Sequence, residues 1–378
     1  MDLGLTEPQE MLKKMARDFL TIECPKKLVR EMEEDDKGYV PELWLKMADL
    51  GWQGLPFPEE YGGGGGSFLD LAVLLEEMGR ACLPGPFFPT VLLGGFCLIE
   101  AGNEEQKKEF LPRIASGELI MTLALTEESG RYDAAAINMP AKAGNGSFLL
   151  DGRKMFVPDA HVSQWIVSVA RTREGGTPEE GIGLFLVNNK APGVACNVLP
   201  SLAKDKQCEV LFQGVSVPSS GVLGEPGSGW NSLSSVMRRA SVAKSIEMVG
   251  GAGQVLEMTV AYAKERVQFD RPIGGFQAVQ HHCANMAIDI DVARYLAYLA
   301  AWKLDEGQSC TAEAAAAKAW TSDAYRRVST LGHQVHGAIG FTLDHDMQLY
   351  SRRAKAAEVA LGDAEFHRSI LACEFESV

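Results

Sequence analysis

The spacing of apolar and polar positions changes twice along the chain, and the changes divide it into three stretches. Up to about residue 118 the pattern is helical. Thr6 with Gln9 three residues on, and Pro8 in the first turn, predicts a helix start, because these side chains satisfy backbone N–H groups that have no helical partner. Pro41 opens a second helix through PELWLKMADL, and Gly51 ends it. LDLAVLLEEMG and VLLGGFCLIEAG are apolar nearly all round, which predicts helices buried on most sides. Gly62–Gly66 in PEEYGGGGGSF read as a flexible surface turn, since no strand precedes them and no Gly-Lys-Ser/Thr follows, as a phosphate cradle requires. From residue 119 the runs shorten to LIMTLALTEE, SFLLDGRKMFVPDA, WIVSVART, GIGLFLVNN and VACNVLP, rich in β-branched residues and separated by turns. These predict antiparallel strands. From Trp230 long helical periodicities return and run to the end.

Length and composition narrow the class. A chain of 378 residues with 46% hydrophobic and 23% charged residues can bury a large core in two or three substructures. A net charge of −14 argues against nucleic acid or an anionic membrane as a partner, yet leaves room for an anionic small ligand held by a few local cations. The cysteines Cys24, Cys82, Cys97, Cys196, Cys208, Cys283, Cys310 and Cys373 form no CxxC pair or His/Cys cluster, so buried free thiols are expected and a metal site is not. MDLGLTEPQEML resembles neither a signal nor a transit peptide, and no apolar run reaches membrane-spanning length. A cytoplasmic protein is the expectation.

Three blocks carry candidate chemistry. Leu125 to Asp133 reads LTEESGRYD, residues 265–282 read ERVQFDRPIGGFQAVQHH, and Gln334 to Phe341 reads QVHGAIGF. In the second, Arg266, Gln268 and Phe269 leave one helix, Pro272 and Gly274–Gly275 break the chain, and Phe276, Gln277 and His281 open the next. With the blocks in this order between about residues 5 and 370, the chain resembles the acyl-CoA dehydrogenase family of flavoproteins. The resemblance implies an α+β architecture: an N-terminal helical domain (1–118), a central antiparallel β-barrel-like domain (119–228) and a C-terminal four-helix bundle (229–378). It also implies FAD, an acyl-CoA substrate, and electron-transfer flavoprotein as electron acceptor.

Residue roles follow from the same likeness. Leu125 and Thr126 run along the flavin, with Glu127 and Asp133 kept, while Tyr132 replaces a small serine and narrows the space for the thioester. In GRKMFVP, Phe156 can wall the ring, but Pro158 offers neither hydroxyl nor N–H, so one polar flavin contact is lost. Arg266 corresponds to the cation for the pyrophosphate, with Phe269 near the cofactor. Gln277, Gln334 and Gly337 match positions holding the ADP half of a flavin bound mainly by a neighbouring subunit. That implies a dimer, usually paired into a tetramer, either of one chain type or with a related subunit.

The catalytic base departs from the pattern. The family removes an α-proton with a glutamate in a Tyr-Glu-Gly-Thr segment before the last helix, where this chain has Ala360-Leu361-Gly362-Asp363. A second family position, 26 residues before Arg266, is Ala240. Asp363, Glu358, Asp159, Asp344 and Glu247 are the nearby carboxylates, and none has a clear claim. Asp363 is the least poor, with helix capping as its ordinary role. The catalytic residue is thus unassigned, and Leu361 and Tyr132 are taken as substrate-facing. Three functions fit: a dehydrogenase for a cyclic, dicarboxylic or aromatic-derived thioester, a non-catalytic subunit completing the FAD site of a heteromer, or a flavin oxidase or monooxygenase of the same fold.

Overall fold

In the computed structural model, which describes residues 4–376, Gln9 Oε1 accepts the Thr6 backbone N–H at 3.1 Å and closes the first turn of α1 (Glu7–Glu23). There follow α2 (Lys26–Glu34), α3 (Pro41–Asp49), α4 (Phe68–Ala81), α5 (Phe96–Ala101) and α6 (Glu104–Ala115). VLLGGFCLIEAG departs from the single α-helix expected. Phe88–Gly95 is π-helical and only Phe96–Ala101 winds as α5. Gly94 and Gly95 press so closely on Met121 and Phe57 that an added Cβ would lie 2.7 and 2.5 Å away, a contact the wider π turn accommodates. The Gly62–Gly66 turn is also less loose than expected. Gly63, Gly64, Gly65 and Gly66 donate to the carbonyls of Pro58, Gly54, Phe57 and Leu55.

The strands are β1 (Met121–Ala124), β2 (Ala141–Gly144), β3 (Ser147–Pro158), β4 (Trp165–Arg171), β5 (Ile182–Asn188), β6 (Val194–Leu199), β7 (Gln207–Pro218) and β8 (Val222–Leu223). They form two four-stranded sheets, β1-β4-β5-β8 and β2-β3-β7-β6, neither closed into a barrel. Pairing is antiparallel except between β1 and β4, where Met121 to Ala124 run parallel to Trp165 to Ser168. The intervening chain, with β2 and β3 in it, is long enough for the crossover a parallel pair needs. Leu150, Phe185, Phe212 and Val215 are among the residues of a shared apolar core.

The C-terminal stretch is helical as predicted, with α7 (Trp230–Glu265), α8 (Gln277–Asp305) and α9 (Thr311–His336). A hairpin of β9 (Val267–Gln268) and β10 (Arg271–Pro272) joins α7 to α8. The closing segment is split at residues 360–363 into α10 (Met347–Val359) and α11 (Ala364–Glu376). Two compact units emerge: one holds the described part of residues 1–31, 67–83 and 241–378, the other residues 32–66 and 84–240. α1 and α4, from the N-terminal stretch, therefore belong to the unit of the C-terminal helices. There α4 and α7 touch backbone to backbone, and a Cβ on Gly250 would sit 1.8 Å from the Glu76 carbonyl oxygen. Gly250→Ala should therefore force the helices apart and cost about 1–3 kcal/mol in a denaturant titration, as overpacking does.

All eight cysteines are free; five are buried, Cys196 and Cys283 half-buried, and Cys373 exposed. Among the described residues no cluster could hold a metal ion, and no helix is long and apolar enough to cross a membrane.

Candidate active site

The residues expected along the flavin in the β-rich unit are brought together. Leu125 and Thr126 leave β1 buried, and the Thr126 carbonyl accepts the Met155 N–H at 2.8 Å from β3. Lys154, wholly buried, ties the same loop down. Its Nζ donates to the Leu125 carbonyl at 3.1 Å and to Glu127 Oε1 at 2.8 Å. Glu127 in turn accepts the backbone N–H groups of Asn138 and Met139. Burial pulls the Lys154 pKa down to about 8 against the opposing pull of Glu127. This lysine was not singled out from sequence, although its even spacing from inward-facing Leu150 was a usable signal.

Beyond Lys154 the ladder slips. Lys154 pairs Val210 while Val157 pairs Cys208, so β3 carries one extra residue in a β-bulge. Phe156 sits there at φ +55°, a strained backbone for a bulky side chain, and the residue is 53% exposed. A large apolar ring held out of a sheet by strain fits a wall for a flat cofactor. Pro158 ends the strand, its carbonyl accepting the Thr122 hydroxyl at 2.6 Å. Tyr132 is half-buried in the loop that follows the Glu127–Gly130 turn, beside an Arg131–Asp133 ion pair.

In the helical unit, Phe269 and Asp270 form the two-residue tip of the β9–β10 hairpin, both with positive φ (55° and 59°), the geometry of a type I′ turn. Phe269 is 87% exposed, and its ring lies edge-on to Phe276 at 6.1 Å. Arg266, at the end of α7, is exposed and makes no ion pair among the described residues. Gln277 is the exposed first residue of α8. Gln334 is exposed in the last turn of α9, and Gly337 caps that helix at φ 64°, ψ −144°, a conformation open essentially to glycine alone. Among the described residues, and its own chain neighbours aside, no atom lies within 4 Å of where its Cβ would be. Tyr262, whose carbonyl accepts the Arg266 N–H, stacks on His336 at 4.7 Å and so brings the Arg266 and Gly337 segments together. A free cation, an exposed aromatic ring and a backbone without side-chain cover fit a pyrophosphate and its adjoining rings.

Leu361 lies on the loop between α10 and α11 at φ +61°, followed by Gly362 at φ +94°. Its carbonyl accepts from His367 Nε2 at 3.0 Å. Asp363 caps α11, its Oδ1 accepting the Phe366 N–H at 2.9 Å. Glu358 lies 3.3 Å from Lys355, and Glu247 is paired with Lys244 at 2.6 Å. Asp159 is buried at φ +50°, Asp344 accepts from Arg30 through its backbone carbonyl, and Ala240 is fully buried in α7.

Burial, aided by the Lys318 charge, pushes the His367 pKa down to about 4, and Nδ1 is buried without a partner. A folded-state pKa below the unfolded value of about 6.5 means the unfolded chain takes up the proton first as pH falls. Stability should therefore be lost progressively between about pH 6.5 and 4. His367→Gln, which keeps a donor, should flatten that limb of a Tm-against-pH curve.

Comparison with known proteins places the chain as a whole. Models of the acyl-CoA dehydrogenase N-terminal, middle and C-terminal domains match residues 6–118, 122–215 and 227–375. A probable acyl-CoA dehydrogenase of Bacillus subtilis (strain 168), YngJ, is 32% identical across 98% of this chain and 99% of its own length. The chain belongs to the acyl-CoA dehydrogenase family. Among solved structures, butyryl-CoA dehydrogenase from Megasphaera elsdenii superposes with a TM-score of 0.92 at 28% identity, over 100% of both chains. A structure described as the Tcur3481-Tcur3483 steroid ACAD gives 0.89 at 29% identity, over 100% of this chain and 99% of its own. This acyl-CoA dehydrogenase is accordingly a FAD-dependent oxidoreductase acting on acyl-CoA.

Proposed function

We propose that the chain oxidises a cyclic, dicarboxylic or aromatic-derived acyl-CoA, not a saturated linear one, and passes the electrons to electron-transfer flavoprotein. The observation that carries this reading is Leu361. It occupies a firmly held loop at the position where the family motif has its glutamate, with buried Ala240 at the second such position.

The reaction takes a proton from the α-carbon and a hydride from the β-carbon of the thioester, leaving a double bond between them. When bound, FAD supplies the acceptor for that hydride. The α-proton of a plain alkyl thioester is weakly acidic, so its removal calls for a carboxylate within reach. A thioester with an activated C–H lowers that demand. One that loses CO₂ avoids it, because the broken C–C bond leaves its electron pair on carbon. In this reading Leu125, Thr126, Phe156, Pro158, Arg266 and Phe269 serve the flavin. Gln277, Gln334 and Gly337 serve the ADP half of a flavin bound mainly by a second subunit, and Tyr132 and Leu361 shape the acyl pocket. Domain boundaries near 118/119 and 228/229 and a tetramer belong to the same proposal.

A second reading is favoured by the same Leu361 and Ala240, and by the likeness to a steroid ACAD described with two components. In it the chain completes the FAD site for a related subunit that carries the base. Anaerobic titration with linear, cyclic, dicarboxylic and aromatic-derived thioesters separates the two. Bleaching of the flavin by a non-linear thioester supports the first. Bleaching by none, with activity restored only by a co-purifying sister chain, replaces it with the second.

A further inference from the structure

The loop that carries Leu361 rests on two buried ionisable side chains that the chemistry above does not use. Lys318, on α9, is completely buried. Its Nζ donates to the Gly362 carbonyl at 2.9 Å, the Glu358 carbonyl at 3.1 Å and the Ser322 hydroxyl at 3.1 Å, so all three ammonium hydrogens are used. His367, buried on α11, donates to the Leu361 carbonyl at 3.0 Å. Two consecutive carbonyls in the break between α10 and α11 are thus each held by a side chain from a different helix. The loop needs such holding. Leu361 adopts a left-handed backbone at φ +61°, which costs a branched residue about 1–3 kcal/mol and persists only where surroundings enforce it. A Cβ at Gly362 would meet the Phe366 ring at 2.2 Å, so the following residue cannot relieve the strain by accepting another side chain.

We propose that Lys318 and His367 are positioning residues that lock the 360–363 loop and so fix the direction in which residue 361 presents its side chain to the thioester. This rests on the reading of Leu361 as substrate-facing. Within the loop the pair grips only backbone carbonyls, so the lock is indifferent to which side chain stands at 361, and the chain keeps the mount for a carboxylate while carrying leucine on it. The groups facing Lys318 are Lys244 on α7, Glu358 on α10, and Asp363 and the neutral His367 on the α11 side; Lys244 is itself paired with Glu247. Burial, reinforced by Lys244, brings the Lys318 pKa down to about 7. Above that pH the neutral amine has one N–H fewer for three acceptors.

The test uses the flavin-loaded full chain as wild type, Lys318→Met, His367→Leu and His367→Gln. Hydrogen exchange of a peptide spanning 358–367 is read beside one from α8. Affinity for butyryl-CoA, the probe, is read from the shift in flavin absorbance. Lys318→Met and His367→Leu should speed exchange in 358–367 about tenfold or more, a loss of about 1.4 kcal/mol of local protection. The α8 peptide and flavin content should stay unchanged, and His367→Gln should restore most of the protection. Thioester affinity should weaken in the two disrupted variants, and in wild type it should weaken as pH rises through about 7, a step absent from Lys318→Met. Unchanged exchange in 358–367 overturns the proposal, as does loosening spread equally over α8. Loosening confined to the loop with unaltered thioester affinity upholds the lock and overturns the placement of Leu361 at the substrate.

Discussion

Leu361→Glu should convert a chain that linear acyl-CoAs reduce poorly into one they reduce readily. A positioned general base contributes a factor of about 10² to 10⁴, and this is the gain expected in the rate of flavin bleaching by butyryl- or octanoyl-CoA. The backbone at 361 is already left-handed, and its own carbonyl and that of Gly362 are already held, so the new carboxylate arrives on a prepared loop. Asp363→Asn is the matched control. Asp363 caps α11 through its Oδ1, a bond the amide oxygen of asparagine can keep, so the variant should fold and leave any wild-type reaction untouched. If Leu361→Glu gains nothing on linear substrates while Asp363→Asn abolishes the native reaction, the base is Asp363 and the assignment of 361 is wrong.

Arg266→Ala should empty the chain of flavin without unfolding it. Arg266 is exposed and has no ion-pair partner among the described residues, so its removal breaks nothing within the chain. Against a bound pyrophosphate it leaves an anion unpaired and desolvated, at a cost of about 3–5 kcal/mol. FAD affinity should therefore fall by roughly two to nearly four decades, measured by quenching of flavin fluorescence, while the Tm of the flavin-free protein stays within about a degree of wild type. A variant that stays yellow after dialysis with unaltered FAD affinity removes Arg266 from the site.

Much of this site is legible in the residues, for identifiable reasons. Gly337 stands out because its backbone conformation excludes other residues, and the Phe269–Asp270 tip follows a helix end and precedes Pro272 and two glycines. The absence of an acid at 361 is visible by counting alone. The Phe156 bulge is not, since nothing about a phenylalanine inside a β-rich run announces a positive φ, and the register slip is imposed by pairing with β7. The parallel pairing of β1 with β4 is likewise set by a long crossover that local alternation does not encode. Lys154 and Lys318 lie between these cases. Each sits at an inward position, Lys154 at even spacing from Leu150 and Lys318 four residues from Ala314 and Ser322, so pattern places them inside. The backbone carbonyls each of them grips there are what a pattern of side chains does not reveal.

The central claim is that no base in the wild-type chain reaches the α-carbon of an ordinary thioester, and it can be tested without any electron acceptor. Flavin-loaded protein is incubated anaerobically with butyryl-CoA in D₂O, and the thioester is recovered for mass analysis. A base within reach of the α-carbon would exchange its protons reversibly. The prediction is no protein-dependent deuterium at the α-carbon in wild type, and clear incorporation in Leu361→Glu. Incorporation in the wild type at a rate matching that variant would show that a working base is present and contradict the account.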